Sequence, residues 1–449
     1  MPLWFQTALL PEGWKQAVHL FVSDGLIRGV QAGVEPAPDD ERHGIALPGL
    51  CNVHSHGFQR GMAGLAEVRG PEGDNFWTWR EVMYHFLDRL DPDQLEAITA
   101  LAYIEMLERG FTRVGEFHYL HHTVSGNPYA NIGELTERIA AAAEASGIGL
   151  TLLPVFYAHA NFGGAPPTPG QRRFINTIDR FATLVETSQQ LIAELPDANL
   201  GIAPHSLRAA TPDELHAILP LARGGPVHIH AAEQTKEVDD CMNWSGQRPV
   251  EWLLDHAAVD EHWCLVHATH LVPSETTALA NSGAVAGLCP ITEANLGDGI
   301  FPAHDYLSKS GRIGIGTDSN IQIDAAAELR ALEYAQRLNT RSRNLLSDGE
   351  GRSTGRALFD RALAGGNQAL GQQHYGIRQG ASADLVSLNV DDPVFFGCKD
   401  DAILDSWIFA GGAVDCVWRR GRKVVQHGRH TERQEITAHY RRAIESVLV

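Results

Sequence analysis

Eight short apolar runs recur through the middle of the chain, separated by longer stretches with helical spacing. They are GIALPGLCNV (44–53), TRVGEFHY (112–119), GLTLLPVFY (149–157), LGIAPHS (200–206), PVHIHAA (226–232), CLVHATH (264–270), AVAGLCP (284–290) and IGIGTDS (313–319). Most are continuously apolar instead of alternating with polar residues. Continuity of that kind predicts strands covered on both faces, as in a parallel sheet flanked by helices. Between the runs, DQLEAITALAYIEMLERG (93–110) keeps a helical apolar period and ends at Gly110, as a helix C-terminus does. TPDELHAILPLARGG (211–225) opens on a Thr cap with Pro at the first helical position, and DAAAELRALEYAQRL (324–338) also reads as helix. Eight strand-then-helix units predict an α/β fold of the (β/α)8 barrel type.

The two ends of the chain break this rhythm. AVHLFVSDGLIRGV (17–30), GIRQGASADLVSLNV (376–390) and AVDCVWRRGRKVVQHGR (413–429) are short strand-like pieces separated by turn residues. They predict a small β-sandwich domain built from residues 1–45 and 376–449, beside a barrel domain of residues 46–375.

Composition works mainly by exclusion. A hydrophobic content of 44% and a charged content of 20% suit a soluble globular enzyme. The formal net charge of -19 lacks the basic footprint that nucleic acid or an anionic membrane surface requires, so neither is expected as a partner. No apolar run approaches the roughly 18 residues of a membrane span. The opening MPLWFQTALLPEGW has no basic segment followed by a long apolar stretch, so no secretory signal is expected. The cysteines (Cys51, Cys241, Cys264, Cys289, Cys398 and Cys416) form no C-x-x-C pair and read as free thiols of a cytoplasmic protein.

In a parallel barrel the carboxyl ends of the strands converge on one mouth, so the residues there carry the chemistry. The first run ends in His54 and His56, which share a face because they stand two apart on a strand. The fifth ends in His230 with Glu233 three residues on, the sixth in His267 and His270, and the eighth in Asp318. A lone H-x-H pair means little in a chain with 22 histidines. Four strand ends in register mean much more: imidazoles and a carboxylate suit a borderline divalent ion with a position left open for water. CLVHATH alone does not choose between His267 and His270. His228 shares a face with His230 one layer deeper and reads as an interior residue.

The ordered pattern HSHGFQR, HIHAAE, LVHATH and GIGTDS resembles the amidohydrolase superfamily, and within it the branch of deaminases that use one metal ion. FWTWREVMY, EFHYLHH, GQRRFIN, HSLRA, AEQTKEVDDC and TEANLGDGIFP are similar to the formimidoylglutamate deiminase family, and the resemblance extends to GASADLVSL near the C-terminus. It implies hydrolysis of N-formimino-L-glutamate to N-formyl-L-glutamate and ammonia in histidine degradation. It implies His54, His56, His230 and Asp318 as metal ligands, with Glu233, His267 and Asp318 as catalytic groups; His270 is then structural. The fourth run, GIAPHSLRAA, has no Lys of the kind that bridges two metals, so one ion is expected: zinc first, with iron suited to the same donors. A dicarboxylate substrate requires cations in this acidic protein, and Arg is the residue whose fork matches a carboxylate. Arg80 and Arg208, with Gln59, Tyr119, His205 and Ser319, are implied to line the substrate pocket. A homodimer is also implied.

Asn320 departs from the family pattern, which has His after the Ser; its role is left open, as is that of the Gly- and Pro-rich segment 161–176, a lid or a plain loop. Trp77 and Trp79 read as packing residues more than as pocket walls. Two other readings compete. One is a relative acting on guanine, cytosine or an adenosine-like compound, which calls for base-stacking aromatics instead of paired arginines. The other is a non-catalytic scaffold of the same fold, which would be expected to have lost ligands.

Overall fold

The computed structural model describes residues 2–71 and 73–448. The predicted barrel is observed. Strands Val227–Ala231, Trp263–His267, Val285–Leu288, Arg312–Ile315, Leu50–Ser55, Phe111–His118, Gly149–Phe156 and Asn199–Leu200 lie side by side in that order. Every neighbouring pair is parallel. Bridges Ile202↔Val227 and Ser206↔His230 join the two ends and close the ring. The first three strands along the chain are buried at every position, which is why their sequences are apolar without alternation.

The fourth run departs from the continuous strand expected of it. It splits into Asn199–Leu200 and Ala203–Pro204, and the second piece pairs with Val155 and Phe156. Between the two pieces Ile202 bridges instead to Val227 on the next strand, so pairing switches sides at the break. The intervening helices are locally specified. Helix Pro92–Glu108, for example, starts at Asp91, whose carboxylate accepts the Gln94 N–H at 2.8 Å while the Gln94 side chain accepts the Asp91 N–H at 2.8 Å.

The second sheet draws strands from both ends of the chain, in the order Arg429–His430, Arg422–Gln426, Val414–Arg419, Leu385–Leu388, Glu41–Pro48, Pro2–Leu10, Gly13–Ser23 and Leu26–Gln31. All neighbours are antiparallel except Pro2–Leu10 with Glu41–Pro48, which are parallel. Side chains alternate between two cores, as period two requires. Ala46, Leu385 and Trp418 join Leu3, Phe5 and Leu20 in a core belonging to the sheet, whereas Ile45, Leu47, Val386 and Val417 join the barrel's core. Glu41–Pro48 then passes through Gly49 directly into the first barrel strand. A Cβ at Gly49 would sit 2.2 Å from the Thr112 side chain, so only glycine fits there.

The segment after residue 376 is not purely strand, as its pattern had suggested. Helix Ala402–Ala410 packs on helices Ala325–Thr340 and Thr354–Ala369, and helix Arg433–Val447 packs on Pro92–Glu108. Arg433 pins that last contact, 3.2 Å from Glu105 and 2.6 Å from Glu108. Among the described residues no helix is long and apolar enough to cross a membrane.

Candidate active site

His54, His56, His230 and Asp318 meet at the barrel mouth. His54 Nε2 lies 3.1 Å from His230 Nε2 and 3.4 Å from Asp318 Oδ1, and His56 Nε2 lies 3.3 Å from the same oxygen. The first strand supplies two rings on one face; the eighth is pressed against it. Thr317 and Asp318 both donate their N–H to the His54 carbonyl, at 3.0 and 2.9 Å. Gly316 permits this approach, because a Cβ there would fall 2.8 Å from the His54 carbonyl oxygen. Left-handed backbone at Ala232 (φ +51°), His267 (φ +67°) and Asp318 (φ +44°) turns the strand ends into the cavity. Non-glycine residues adopt such angles only where the surroundings hold them.

Orientation is set one layer out. His56 donates Nδ1–H to the Phe117 carbonyl at 3.0 Å and His230 donates Nδ1–H to the His205 carbonyl at 3.0 Å, so each presents a lone pair on Nε2 to the centre. His54 Nε2 and His230 Nε2 then stand 3.1 Å apart, a spacing that a shared cation would bridge. A tetrahedral ion with bonds of about 2.0–2.1 Å spaces its ligands by roughly 3.3–3.4 Å, and the observed separations of 3.1, 3.3 and 3.4 Å match that edge. The ligand atoms of His54, His56 and Asp318 all lie within 4.8 Å of one another, as do those of His54, His230 and His267, so the cluster offers a donor set suited to a divalent metal ion. Burial holds His54 down at about 3 and keeps His56 and His230 below the usual imidazole range, so all three are neutral donors. Burial alone would raise Asp318, but its hydrogen bond to His54 and the charges of the nearby rings hold it below the usual carboxylate range.

The structure chooses His267 over His270. His267 Nε2 is 3.8 Å from Asp318 and 4.0 Å from Glu233, and its Nδ1 is 3.3 Å from Glu293. His270 does not line the cavity; its carbonyl accepts from Arg248. His228 is an interior residue, with Nε2 2.8 Å from the Ala369 carbonyl. Burial opposes a charged His267, but Glu233, Glu293 and Asp318 outweigh it and raise the ring to about 10. Burial pushes Glu233 up to about 7 against the pull of His267 and Arg208. Glu233 is itself held by Glu237, whose carboxylate accepts the Ala232 and Glu233 N–H groups at 3.2 and 3.1 Å. Sequence reasoning missed Glu237 and Glu293; the only available signal was an acid four residues beyond Glu233 and one on the short helix Pro290–Leu296 after the seventh strand.

Above the cluster, the cavity is walled by Gln59, Arg80, Tyr119, His205 and Arg208, together with Met83, Tyr84, Tyr157 and Phe174, which sequence reasoning had not singled out. Gln59 donates to the Tyr119 hydroxyl at 2.9 Å, and that hydroxyl donates to Met83 Sδ at 3.1 Å. Arg80 Nε and Arg208 Nε are buried without a hydrogen-bond partner. Phe76 and Trp79 also line the cavity, so Trp79 is wall as well as packing.

Ser319 does not belong to this wall. Its hydroxyl is 3.0 Å from Thr292 Oγ1, a contact that turns it away from the cavity. Asn320 is a staple between the first and eighth strand ends. Its Nδ2 donates to Ser55 Oγ at 3.2 Å and the His56 carbonyl at 3.1 Å, while its Oδ1 accepts from Thr317 at 2.6 Å. The second half of segment 161–176 is anchored in place. Arg173 is buried and donates to the His122 and Leu90 carbonyls at 2.9 Å each, and Gln171 donates to the Tyr157 hydroxyl at 2.8 Å.

The amidohydrolase family model matches residues 45–424, and the model for the N-terminal domain of formimidoylglutamate deiminase HutF matches residues 4–44. The chain is 52% identical to a formimidoylglutamate deiminase of Pseudomonas aeruginosa, over 95% of this chain and 94% of that one. This chain belongs to the amidohydrolase family, in its formimidoylglutamate deiminase branch. A crystal structure of an amidohydrolase from Brucella melitensis superposes on this amidohydrolase with a TM-score of 0.98 and 54% identity, covering 100% of both chains. A 5-methylthioadenosine/S-adenosylhomocysteine deaminase of Natronomonas pharaonis is 29% identical over 78% of this chain and 74% of its own. An adenosine deaminase of Xanthomonas campestris, solved with bound zinc, shares the fold at a TM-score of 0.83 and 22% identity, over 100% of this chain and 98% of its own.

Proposed function

We propose that this enzyme hydrolyses N-formimino-L-glutamate to N-formyl-L-glutamate and ammonia, in histidine degradation. The observation that carries the substrate assignment is the pair Arg80 and Arg208, each with an unpartnered buried Nε in the cavity that also holds the histidine–aspartate cluster. In an acidic protein, two such cations above a hydrolytic centre select a dianion. Gln59, Tyr119 and His205 complete the polar wall. A purine pocket would instead spend these positions on stacking and amide contacts.

His54, His56, His230 and Asp318 would hold one divalent ion, which when bound supplies Lewis-acid polarisation and a water of lowered pKa. Zinc is the resident metal in this reading, with iron suited to the same donors. Asp318, kept ionised, takes the proton of the attacking water. Glu233, brought to about 7 by burial, carries a proton in a substantial fraction of the enzyme near neutrality; in that form it donates to the formimino nitrogen and makes its carbon electrophilic. His267, held cationic by Glu293 and Asp318 while Glu233 carries its proton, stabilises the oxygen that gains charge as the carbon becomes tetrahedral. Asp318 returns its proton to the nitrogen, the C–N bond breaks as Glu233 takes back the proton of the tetrahedral hydroxyl, and ammonia leaves the N-formyl product. The arginines position the glutamate end, so the formimino carbon is delivered to the cluster and not the reverse.

The same reading includes a homodimer and a cytoplasmic setting; six free cysteines suit a reducing compartment. The experiment is a coupled ammonia assay with N-formimino-L-glutamate, adenosine and guanine, alongside elemental analysis of the purified protein. Ammonia from the first substrate alone, lost on chelation and restored by metal, is the expected outcome. Turnover of a nucleobase or nucleoside without formiminoglutamate would overturn the assignment.

A further inference from the structure

The helix Phe76–Leu87 follows the first barrel strand and places Trp77, Arg80 and Tyr84 at i, i+3 and i+7, one stripe of its surface. Arg80 lies against both rings, its Cζ 4.5 Å from the Trp77 centroid and 5.6 Å from that of Tyr84. Two more cations reach the same indole from other segments after barrel strands. Arg208, after the fourth strand, has its Cζ 5.8 Å from the Trp77 centroid, and Lys236, after the fifth, has its Nζ at 5.9 Å. Three cations from three separate segments around one ring repel one another. Without an anion, the nearby compensation for Arg208 is Glu233 at 3.9 Å and for Lys236 is Asp240 at 2.7 Å. Arg80 has no ion pair among the described residues; its neighbours are aromatic. Trp77 itself is not part of the cavity wall, so it acts through the arginines and not on the substrate. The negative face of an indole attracts cations, most strongly where they are shielded from water.

We propose that Trp77 is the positioning residue that holds Arg80 and Arg208 together as a preorganised dianion clamp, and so sets the preference of this pocket for dicarboxylates over monocarboxylates. The inference rests on the dicarboxylate reading given above and extends it to a residue outside the pocket. Preorganisation matters because the cost of bringing two like charges together is met during folding and not deducted from substrate binding. Lys236 adds to the positive potential but is half-exposed and separately paired, so its share is smaller.

The test compares the wild type, Trp77→Phe, Trp77→Leu, and enzyme in which the Trp77 indole alone is replaced by a fluorinated indole of nearly the same shape but weaker negative face. Two readouts are taken: kcat and KM for N-formimino-L-glutamate, and calorimetric binding of glutarate against butyrate. Trp77→Leu is expected to raise KM and weaken glutarate at least tenfold, with kcat within twofold and butyrate within threefold of wild type. Trp77→Phe recovers most of the loss, and fluorination weakens glutarate stepwise with each added fluorine. Should Trp77→Leu not fold, the fluorinated series decides, because its packing is unchanged. Unchanged glutarate affinity in that series, or equal losses for glutarate and butyrate, would overturn the clamp. If formiminoglutamate is not turned over but the glutarate losses appear, the assigned reaction fails and the clamp stands; if it is turned over with the same KM in every folded variant, the clamp fails and the reaction stands.

Discussion

Arg208→Met probes binding and stability together at one buried position. Arg208 is 6% exposed, its Nε has no partner, and its closest anion, Glu233, is 3.9 Å away. Burial opposes its charge, but Glu237 and Glu233 outweigh that cost and favour the guanidinium in the free enzyme. Replacing it by Met leaves both carboxylates short of a counter-charge, a loss of roughly 1–3 kcal/mol in stability. With substrate bound a further loss is added, because the guanidinium then also meets a carboxylate. Losing one charge-assisted hydrogen bond costs roughly 1.5–3 kcal/mol. At about 2 kcal/mol, KM rises about thirtyfold. Arg208 also pulls the Glu233 pKa down, so its removal leaves Glu233 more firmly protonated and kcat near pH 7 falls little. The assay is steady-state ammonia release for kcat and KM, with thermal unfolding of the same preparation without substrate. The expected pattern is a large rise in KM with a melting temperature lowered by a few degrees. A KM within twofold of wild type would remove Arg208 from the pocket. An unchanged or higher melting temperature would show that Glu237 and Glu233 do not stabilise this charge in the free enzyme.

Other consequences follow from the same geometry. Glu293→Gln loosens the carboxylate that holds His267 Nδ1 at 3.3 Å; kcat is expected to fall on the order of 10–100-fold with metal content intact, as measured by kinetics and elemental analysis together. His54→Asn removes a ligand and should bring bound metal well below one equivalent after dialysis. Asn320→Ala cuts the staple between the first and eighth strand ends and leaves Thr317 and the His56 carbonyl short of partners; urea unfolding should show a loss of roughly 1–3 kcal/mol. Burial lowers the His118 pKa from 6.5 to about 3 and that of His121 well below 6.5. The folded state then binds fewer protons than the unfolded chain, so this stability is complete above pH 6.5 and drains as pH falls toward 3. For His118 the total is at most on the order of 4–5 kcal/mol. Urea midpoints of His118→Leu should vary less with pH across that window than those of the wild type; parallel curves would place the acid lability elsewhere.

The sequence by itself determined features that are local. Apolar runs without alternation meant strands covered on both faces, and eight of them meant a barrel, because few other arrangements cover a parallel sheet on both sides. Two histidines two residues apart on a strand had to share a face. The i, i+3, i+7 stripe of Trp77, Arg80 and Tyr84 is likewise written into its own helix. What only the tertiary structure decided are the features that depend on backbone direction and on partners far along the chain. His54 meets His230 across 176 residues, and only closure of the barrel makes them neighbours. The choice of His267 over His270 follows from a left-handed residue at the strand end, which aims one ring inward and carries the next residues away. Ser319 beside Asp318 is likewise claimed by Thr292, a contact no spacing rule foresees. The fourth strand broke at residues 201–202, between two short pieces, and the helices after residue 400 formed against barrel helices distant in sequence. Periodicity specifies which face a side chain occupies, whereas the atom it meets depends on how the strand ends bend and on what the closed ring brings opposite them.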